Sequence, residues 1–191
     1  MQSDDTQNAL NLARRFLYAV FQRTLHGEYI YMLIDNTLLS GPSEPVYRSL
    51  VDYEPMRDAG LHDIEPAIAG PVSQGVDAEK VVSDLLARNC MVLFSSSRRL
   101  HDLKRHFMKF IKVRIENDQI VYFRFYDPRV LRAFLPSCSP EQAEEFYGPV
   151  RAFFLEGEGR EELLAFSRST RELRMERICL AQVAYSDDCG Q

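Results

Sequence analysis

The stretch YFRFYDPRVLRAFLPSCSPEQAEEFYGPV, residues 122–150, decides the fold because it predicts a strand, a turn and two capped helices in succession. Asp127 followed by Pro128 is a strong helix start, since a side-chain acceptor precedes a residue that has no amide hydrogen to leave unsatisfied. Ser139 and Gln142 repeat the signal as a capping box. We therefore expect a strand to enter the first helix through an Asp-Pro turn.

The preceding segment, KVRIENDQIVYFRFY (residues 112–126), predicts a β-hairpin. Asn117 and Asp118 suit a two-residue turn, which would pair Ile115 with Ile120. The second strand of this hairpin is apolar at consecutive positions, so we expect it to be internal to a sheet.

Helical and strand patterns alternate through the rest of the chain. The expected elements are a helix over 6–23, a buried strand over 28–35, a helix over 77–88 capped by Asp77, a strand over 90–95, and an amphipathic helix over 97–111 capped by Ser97. Such alternation is typical of an α/β fold. We predict a central mixed sheet that includes the hairpin and is flanked by helices.

Residues 36–75 contain five prolines and should be mostly loop. Within them we expect a short helix near residues 46–51 and a short strand near Ile68.

The 191-residue chain can fill one sizeable core. We expect a core domain over residues 1–157 and a short C-terminal extension over 158–191 that packs on or beside it. The extension is more charged, and its apolar residues at 163, 164 and 166 precede a strand or helix expected over 178–185.

Composition indicates a cytoplasmic protein. The net charge of −5 argues against a dominant nucleic-acid partner. The acidic, polar start does not resemble a secretory signal, and no run approaches the roughly 18 apolar residues of a membrane span. The four cysteines, at positions 90, 138, 179 and 189, lack the spacing of a zinc site and indicate reduced thiols.

No motif predicts a cofactor, a metal or a catalytic residue. Asp35 and Asp127 both follow predicted strands, where carboxylates can perform acid/base catalysis, so a small enzyme remains an alternative. Asp127 also has a sufficient structural role as a helix cap. The histidines are scattered, the serine run at 95–97 matches no nucleophile motif, and the glycines form no phosphate loop.

A basic run lies between Arg98 and Arg114, with seven basic residues and one acidic. Its local charge is +6 against −5 for the whole chain, so the remainder carries −11. The run could meet phosphates, an acidic protein surface or solvent only, and a nucleic-acid binder remains a further alternative. Arg98, Arg105 and Lys109 are our candidates for partner contact in this run.

Three more arginines, Arg124, Arg129 and Arg132, surround the Asp-Pro turn. A guanidinium there can form forked bonds to Asp or donate to backbone carbonyls, and an internal clamp that holds the hairpin to the helix is the favoured interpretation. Arg129 and Arg132 are also candidates for partner contact.

The motifs YMLID, MVLFSSS and VYFRFYDPRVLRAFLPSCSPEQAEEFYGPV together resemble the type VI secretion effector chaperones, or adaptors, a family long catalogued as a domain of unknown function. The resemblance covers roughly residues 28–157. It implies a cytoplasmic, non-enzymatic protein that binds a secreted effector and helps to load it on the VgrG spike. From the charge and the hydropathy, we expect neither nucleic acid nor membrane as a partner.

Carried onto this chain, the signature of the family is expected to be mainly architectural. It falls on Asp35, Phe123, Arg124, Phe125, Tyr126, Asp127, Pro128 and Arg129. The chain departs from the pattern because it has no tryptophan, which relatives often carry in their strands, and because it ends soon after the shared core.

Overall fold

The computed structural model describes residues 2–35, 53–55, 66–116, 118–159, 161–169 and 172–184. The helices of these residues are α1 (Gln2–Phe21), α2 (Val76–Arg88), α3 (Leu100–Phe107), α4 (Pro128–Ser137) and α5 (Pro140–Tyr147), with 3-10 turns at Met108–Phe110 and Leu180–Gln182. The strands are β1 (Tyr29–Asp35), β2 (Tyr53–Pro55), β3 (Pro66–Val72), β4 (Met91–Ser96), β5 (Lys112–Arg114), β6 (Ile120–Tyr122), β7 (Ala152–Glu156), β8 (Glu162–Ser169) and β9 (Glu172–Cys179).

A seven-stranded sheet in the order β2-β3-β1-β4-β7-β8-β9 forms the middle layer, and β5 pairs with β6 in a separate hairpin. The α/β class, the hairpin and the flanking helices are confirmed. The strand directions differ from a mixed sheet, because every pairing among the described strands is antiparallel. β3 and β4 run parallel to each other across the α2 connection, but β1 lies between them and pairs with both.

One face of the sheet is covered by α1 and α2. Helical spacing in α1 and α2 brings apolar side chains onto the sheet, where Val20 and Leu85 are fully buried. Met32 and Leu93 meet them from the central strands. Small and aliphatic residues predominate in this cluster.

The opposite face is covered by α3, α4, α5 and the segment before α4. Because side chains alternate along a strand, Phe94 and Phe153 point to this side while their neighbours point to α1 and α2. Phe107 packs edge-on against Phe94, Phe146 stacks on Phe153, and Phe125 stacks on Phe107. This cluster is mainly aromatic.

Two predicted helix caps are wrong. The residue that caps α2 is Gly75, without a side-chain hydrogen bond, and Asp77 lies in the first turn. α3 begins two residues later than a Ser97 cap allows, after Arg99, because the amide of Arg98 bonds to the Ser96 hydroxyl and the chain turns there. The caps at Asp127 and Ser139 are confirmed, the latter as a full capping box.

The hairpin has a different register and position from those expected. Arg114 pairs with Ile120, and the amide of Ile115 donates to the carbonyl of Gln119, which is a shift of one residue. A longer turn in which Asp118 has φ 57° replaces the two-residue turn. The second strand is not internal, since Ile120 and Tyr122 are 62% and 42% exposed.

The remaining segments extend the main sheet. The strand expected near Ile68 is β3, whereas the helix expected at 46–51 lies outside the described residues. β8 pairs with β7 along its length, and β9 completes that edge of the sheet before the turn at Leu180–Gln182. The expected element over 178–185 is therefore a strand end and a 3-10 turn, with residue 185 outside the described part.

Among the described helices, none combines the length and the apolar character that crossing a lipid bilayer requires.

Candidate functional site

The Asp-Pro turn joins the hairpin to α4 and orients the signature side chains. The amide of Phe123 donates to the carbonyl of Ile111 at 2.9 Å, which extends the hairpin pairing up to the turn. The amide of Asp127 then donates to the carbonyl of Arg124 at 3.0 Å. Pro128 occupies the first helical turn, where a missing amide hydrogen costs nothing.

Asp127 is a helix cap and also one half of a forked ion pair. Its Oδ1 accepts from the backbone amide and from Nε of Arg129, both at 2.9 Å, and its Oδ2 accepts from Nη2 of Arg129 at 2.8 Å. Burial alone would raise the pKa of Asp127, but the hydrogen bonds from Arg129 outweigh it and hold that pKa below its ordinary value. The carboxylate is therefore ionised at neutral pH and accepts three hydrogen bonds from Arg129.

Asp35, at the end of β1, is completely buried and pairs with Arg124 across the molecule. Nη2 of Arg124 donates to Oδ2 of Asp35 and lies 3.9 Å from Oδ2 of Asp127. The hydrogen bond to Asp35 raises the pKa of Arg124. Two aspartates and two arginines thus balance in charge, which is the condition for burying ionised groups. We call these four side chains, Asp35, Arg124, Asp127 and Arg129, the clamp.

Tyr126 lies next to the clamp and is 1% exposed. Burial, together with the nearby charge of Asp35, raises the pKa of Tyr126 to about 12. Its phenol therefore stays protonated at neutral pH, and its oxygen accepts a hydrogen bond from Arg124.

Phe123 and Phe125 anchor the turn in the aromatic cluster. The ring of Phe125 stacks on Phe107 at 5.3 Å between centroids, and the ring of Phe123 meets Phe134 of α4 edge-on at 4.6 Å. Phe125 is fully buried and Phe123 is half-buried. The rings of Phe123 and Phe125, on either side of Arg124 in sequence, thus hold the turn in the aromatic cluster.

The predicted partner-binding residues form two groups. Arg98, Arg105 and Lys109 are exposed before, on and after α3, and Arg105 pairs with Asp102 at 2.9 Å. Arg129 belongs to the clamp but keeps 55% of its side chain exposed. Arg132 donates to the backbone carbonyl of Glu156 at 2.9 Å, so it links α4 to β7. Contact of these residues with a partner stays a prediction.

His106 fastens α3 to α5 and does not belong to a histidine cluster. Its Nε2–H donates to the carbonyl of Phe146 at 2.8 Å, and burial lowers the pKa of the ring. Gly148 ends α5 with φ 46° directly against this imidazole, where a β-carbon would collide with the ring. Within the ranges that the structure describes, no three His, Cys, Asp or Glu side chains are grouped so that they could hold a metal ion.

Sequence reasoning missed a groove on the outer side of α4, which we call the α4 groove. It has a volume of about 690 Å³ and is lined by Phe123, Asp127, Arg129, Val130, Ala133, Phe134 and Ser137. The sequence of α4 does contain a signal for this groove, because apolar residues recur at intervals of four along two adjacent faces of the helix. Leu131 and Leu135 are buried in the core, so Val130 and Phe134 cannot share their direction.

The comparisons with known proteins agree with the signature. Residues 30–145, more than half of the chain, match the family model described as Domain of unknown function (DUF4123). Searches of curated proteins and of solved structures return no significant match. The matched range runs from β1 through the clamp and the α4 groove into α5, and the chain therefore belongs to the DUF4123 family.

Proposed function

We propose that this protein is a cytoplasmic chaperone or adaptor that binds a type VI secretion effector and helps to load it on the VgrG spike. The observation that carries the proposal is the DUF4123 match over residues 30–145, a family associated with type VI secretion adaptors. The motifs that resemble those adaptors coincide with β1, β4 and the region from the hairpin to α5.

The state of the signature residues supports a scaffold role. Asp35 is completely buried against Arg124, and Asp127 accepts three hydrogen bonds from Arg129. A carboxylate that reacts with a substrate needs a free lone pair within reach of it, whereas here Asp127 is bonded to the first turn of α4 and Asp35 ties the Asp-Pro turn to the end of β1. The clamp therefore supports a rigid turn from which neighbouring surfaces meet a partner.

The charge distribution supports a protein partner with acidic character. Arg98, Arg105 and Lys109 are exposed on one stretch of a chain whose other residues are strongly acidic in sum. Opposite charges at an interface accelerate association and select among partners more than they add affinity.

The test is a pull-down of the tagged protein from host cells that express the secretion system. The expected result is recovery of an effector encoded beside this chain, with or without VgrG, identified by mass spectrometry and reproduced with purified proteins. A variant with Arg98, Arg105 and Lys109 changed to Glu should recover less effector than a Lys80→Glu variant, since Lys80 is exposed on α2 on the other face of the sheet. Absence of any effector from cells shown to produce it would contradict the proposal.

A nucleic-acid binder is the second candidate, favoured by the same exposed basic residues on α3. Binding through phosphates would weaken steeply with salt, in proportion to the number of contacts. Tight binding of duplex or single-stranded DNA or RNA by the purified protein, with that salt dependence, would favour this candidate over the adaptor.

A further inference from the structure

The two edges of the central sheet differ in how well they could accept another strand. The edge strand β2 is three residues long and contains Pro55, and short edge strands and proline both discourage further pairing. At the other edge, β9 is eight residues long, contains no proline and pairs with β8 without a bulge. Among the described strands, β9 has a neighbour on that side only. The outer side of β9 is therefore a regular edge that a further strand can extend.

The backbone of β9 presents alternate residues to this open edge. The amide of Leu180 donates to the carbonyl of Glu161 at 2.7 Å, so these two residues are a hydrogen-bonded pair of the ladder between β8 and β9. Hydrogen-bonded and non-hydrogen-bonded pairs alternate along an antiparallel ladder. The even-numbered residues of β9 thus direct their N–H and C=O groups at β8. The odd-numbered residues, among them Leu173, Met175 and Arg177, direct theirs outward.

The side chains of β9 are mostly exposed and balance in charge. The strand contains two Glu and two Arg, so its own net charge is zero although the chain carries −5. Arg174 and Glu176 are two residues apart and lie on the same face of the sheet. Met175, between them, points to the other face and is 46% exposed. Local charge therefore does not oppose the approach of two copies along this edge.

An antiparallel second copy of β9 fits this edge in one register. A ladder requires the outward-directed residues of one copy to lie opposite those of the other. When Met175 lies opposite Met175 of the second copy, Arg174 lies opposite Glu176, and Glu176 lies opposite Arg174. These opposite charges fall in non-hydrogen-bonded pairs, where cross-strand side chains are closest. The overlap then covers residues 172–178.

The neighbouring registers are unfavourable. Sliding the second copy by two residues places either Arg174 opposite Arg174 or Glu176 opposite Glu176, and like charges directly opposite each other are destabilising. Sliding it by one residue places outward-directed backbone groups opposite groups that β8 already uses, so no ladder forms. Charges on an edge strand normally discourage pairing. Here their order favours one partner strand, which is β9 itself.

Glu176 is already held in position for this contact. Nε and Nη2 of Arg23, just after α1, donate to its two carboxylate oxygens and lower its pKa, so it is ionised at neutral pH. Each carboxylate oxygen has a second lone pair, and the Glu176 side chain remains 57% exposed. Arg174 has no ion pair within the described part of the chain. The carboxylate can therefore accept from Arg174 of a second copy while Arg23 keeps it in place.

We propose that β9 is a dimerisation edge, at which a second copy of this chain adds antiparallel with Met175 on the two-fold axis. The same strand serves both copies, as a two-fold interface requires, and the two central sheets become continuous. An edge with few apolar side chains gives a small interface, so we expect a dissociation constant on the order of 10 µM. The inference is independent of the proposed function, because it needs no effector.

The first test blocks the edge. Met175→Pro removes an outward-directed amide hydrogen and leaves the hydrogen bonds to β8 in place, whereas Met175→Ala keeps that amide and is the matched control. Sedimentation velocity of the purified full chain, at concentrations below and above the expected dissociation constant, should show conversion of monomer to dimer. Met175→Pro should raise the dissociation constant by about ten-fold or more, and Met175→Ala by less. Circular dichroism checks that both variants fold.

The second test exchanges charges between copies. In the proposed register, Arg174→Glu alone places Glu opposite Glu, and Glu176→Arg alone places Arg opposite Arg, so each variant should be monomeric. A mixture of the two variants restores opposite charges at both positions, and the dimer should return as a heterodimer. Damage to the fold by either substitution would not be reversed by mixing.

The third test determines the register. In a background with Cys179→Ser and Cys189→Ser, Met175→Cys should form an intermolecular disulfide under mild oxidation, because hydrogen-bonded partners have Cα atoms about 5.5 Å apart. Arg177→Cys is the control on the same face. It should not cross-link, since the two copies of residue 177 would lie about 13 Å apart along the strands at 3.3 Å per residue.

Several results would overturn the dimer edge. One is a wild-type chain that stays monomeric at ten times the expected dissociation constant. Another is a dimer that Met175→Pro leaves intact, which would place the interface elsewhere, and a cross-link at 177 instead of 175 would contradict the register. A monomer that loses effector binding in Met175→Pro would assign the edge to an extended segment of the effector. None of these results decides the adaptor function, which the pull-down tests separately.

Discussion

The two faces of the central sheet are packed from different kinds of side chain. The face under α1 and α2 is mainly aliphatic, with residues such as Val20, Met32 and Leu85. The other face is an array of rings around Phe146 and Phe107, and it carries the clamp, the hairpin and the α4 groove. Aliphatic packing depends mostly on volume, whereas ring packing also depends on geometry. The difference indicates that the aliphatic face supports the fold and the aromatic face positions the candidate site.

The largest expected effect is a loss of stability when the same substitution, Phe to Ala, is made on each face of the sheet. Phe146→Ala should lower the free energy of unfolding by about 4–5 kcal/mol, since it removes ring contacts as well as buried area, and Phe16→Ala on the aliphatic face by about 3 kcal/mol. Phe146 lies 5.2 Å from Phe110 and from Phe134 between ring centroids. Urea denaturation of the two variants measures both losses of unfolding free energy. Equal losses would remove the distinction between the faces.

The next comparison concerns the ion pairs of the two faces. Asp35→Asn removes the nearer of the two buried carboxylates that face Arg124 and should cost about 2–3 kcal/mol, less than a fully buried pair because Arg124 is partly exposed. Glu79→Gln breaks the fork between Arg14 and Glu79 that joins α1 to α2, and should cost about 1 kcal/mol. Thermal and urea unfolding of the two variants provide the values. A larger loss for Glu79→Gln would mean that the clamp is not a structural element.

Removal of either of the two helix caps on the aromatic face should cause a smaller loss of stability. Asp127→Ala and Ser139→Ala should each cost about 1 kcal/mol for the cap, and Asp127→Ala more, because its fork with Arg129 is also lost. The folded-state pKa of Asp127 is depressed, so its charge stabilises the fold above the unfolded pKa and ceases to do so as pH falls through the folded value. The additional loss of stability in Asp127→Ala, compared with Ser139→Ala, should therefore disappear in acid. Unfolding measured from pH 7 to pH 2 tests this, and a constant excess would contradict it.

The smallest expected effect is a pH dependence at His106. Burial favours the neutral ring and lowers its pKa, so the unfolded chain binds a proton more readily and stability falls as pH drops through the ordinary pKa of histidine. His106→Gln should flatten the stability curve between about pH 7 and pH 5. His101→Gln, at an exposed position of the same helix, is the control, and an identical curve for both variants would contradict the assignment.

Local signals predicted the helices and strands well where capping and periodicity agree. Asp127 and Ser139 were read correctly because a cap depends on a few adjacent residues. Asp77 and Ser97 were read wrongly because the same residue types are common near helix starts that the backbone places elsewhere. The hairpin register slipped by one residue, since the length of the turn is set by the backbone conformation of Asp118 and not by its composition.

Long-range features of the site could be predicted only in part. Pairing of Arg with Asp around the turn was expected, and Arg129 does pair with Asp127. The pairing of Arg124 with Asp35 was not specified, because it joins residues on two different elements and depends on the fold. The α4 groove was missed because Val130 and Phe134 were indistinguishable from core residues by type. Their half-exposure depends on which side of α4 faces the core, and that is set by the fold.

The place of β1 inside the sheet, between β3 and β4, determines which contacts the chain can make early. Tyr29 at the start of β1 pairs with Ser96, so the central ladder must wait for a distant segment, whereas β7, β8 and β9 each pair with their neighbour in sequence. Closing long loops slows folding, and pulsed hydrogen exchange should therefore show protection in β8 before β1. Until β4 is available, the apolar strand YIYMLID has an unpaired edge, and such an edge favours aggregation of the folding chain.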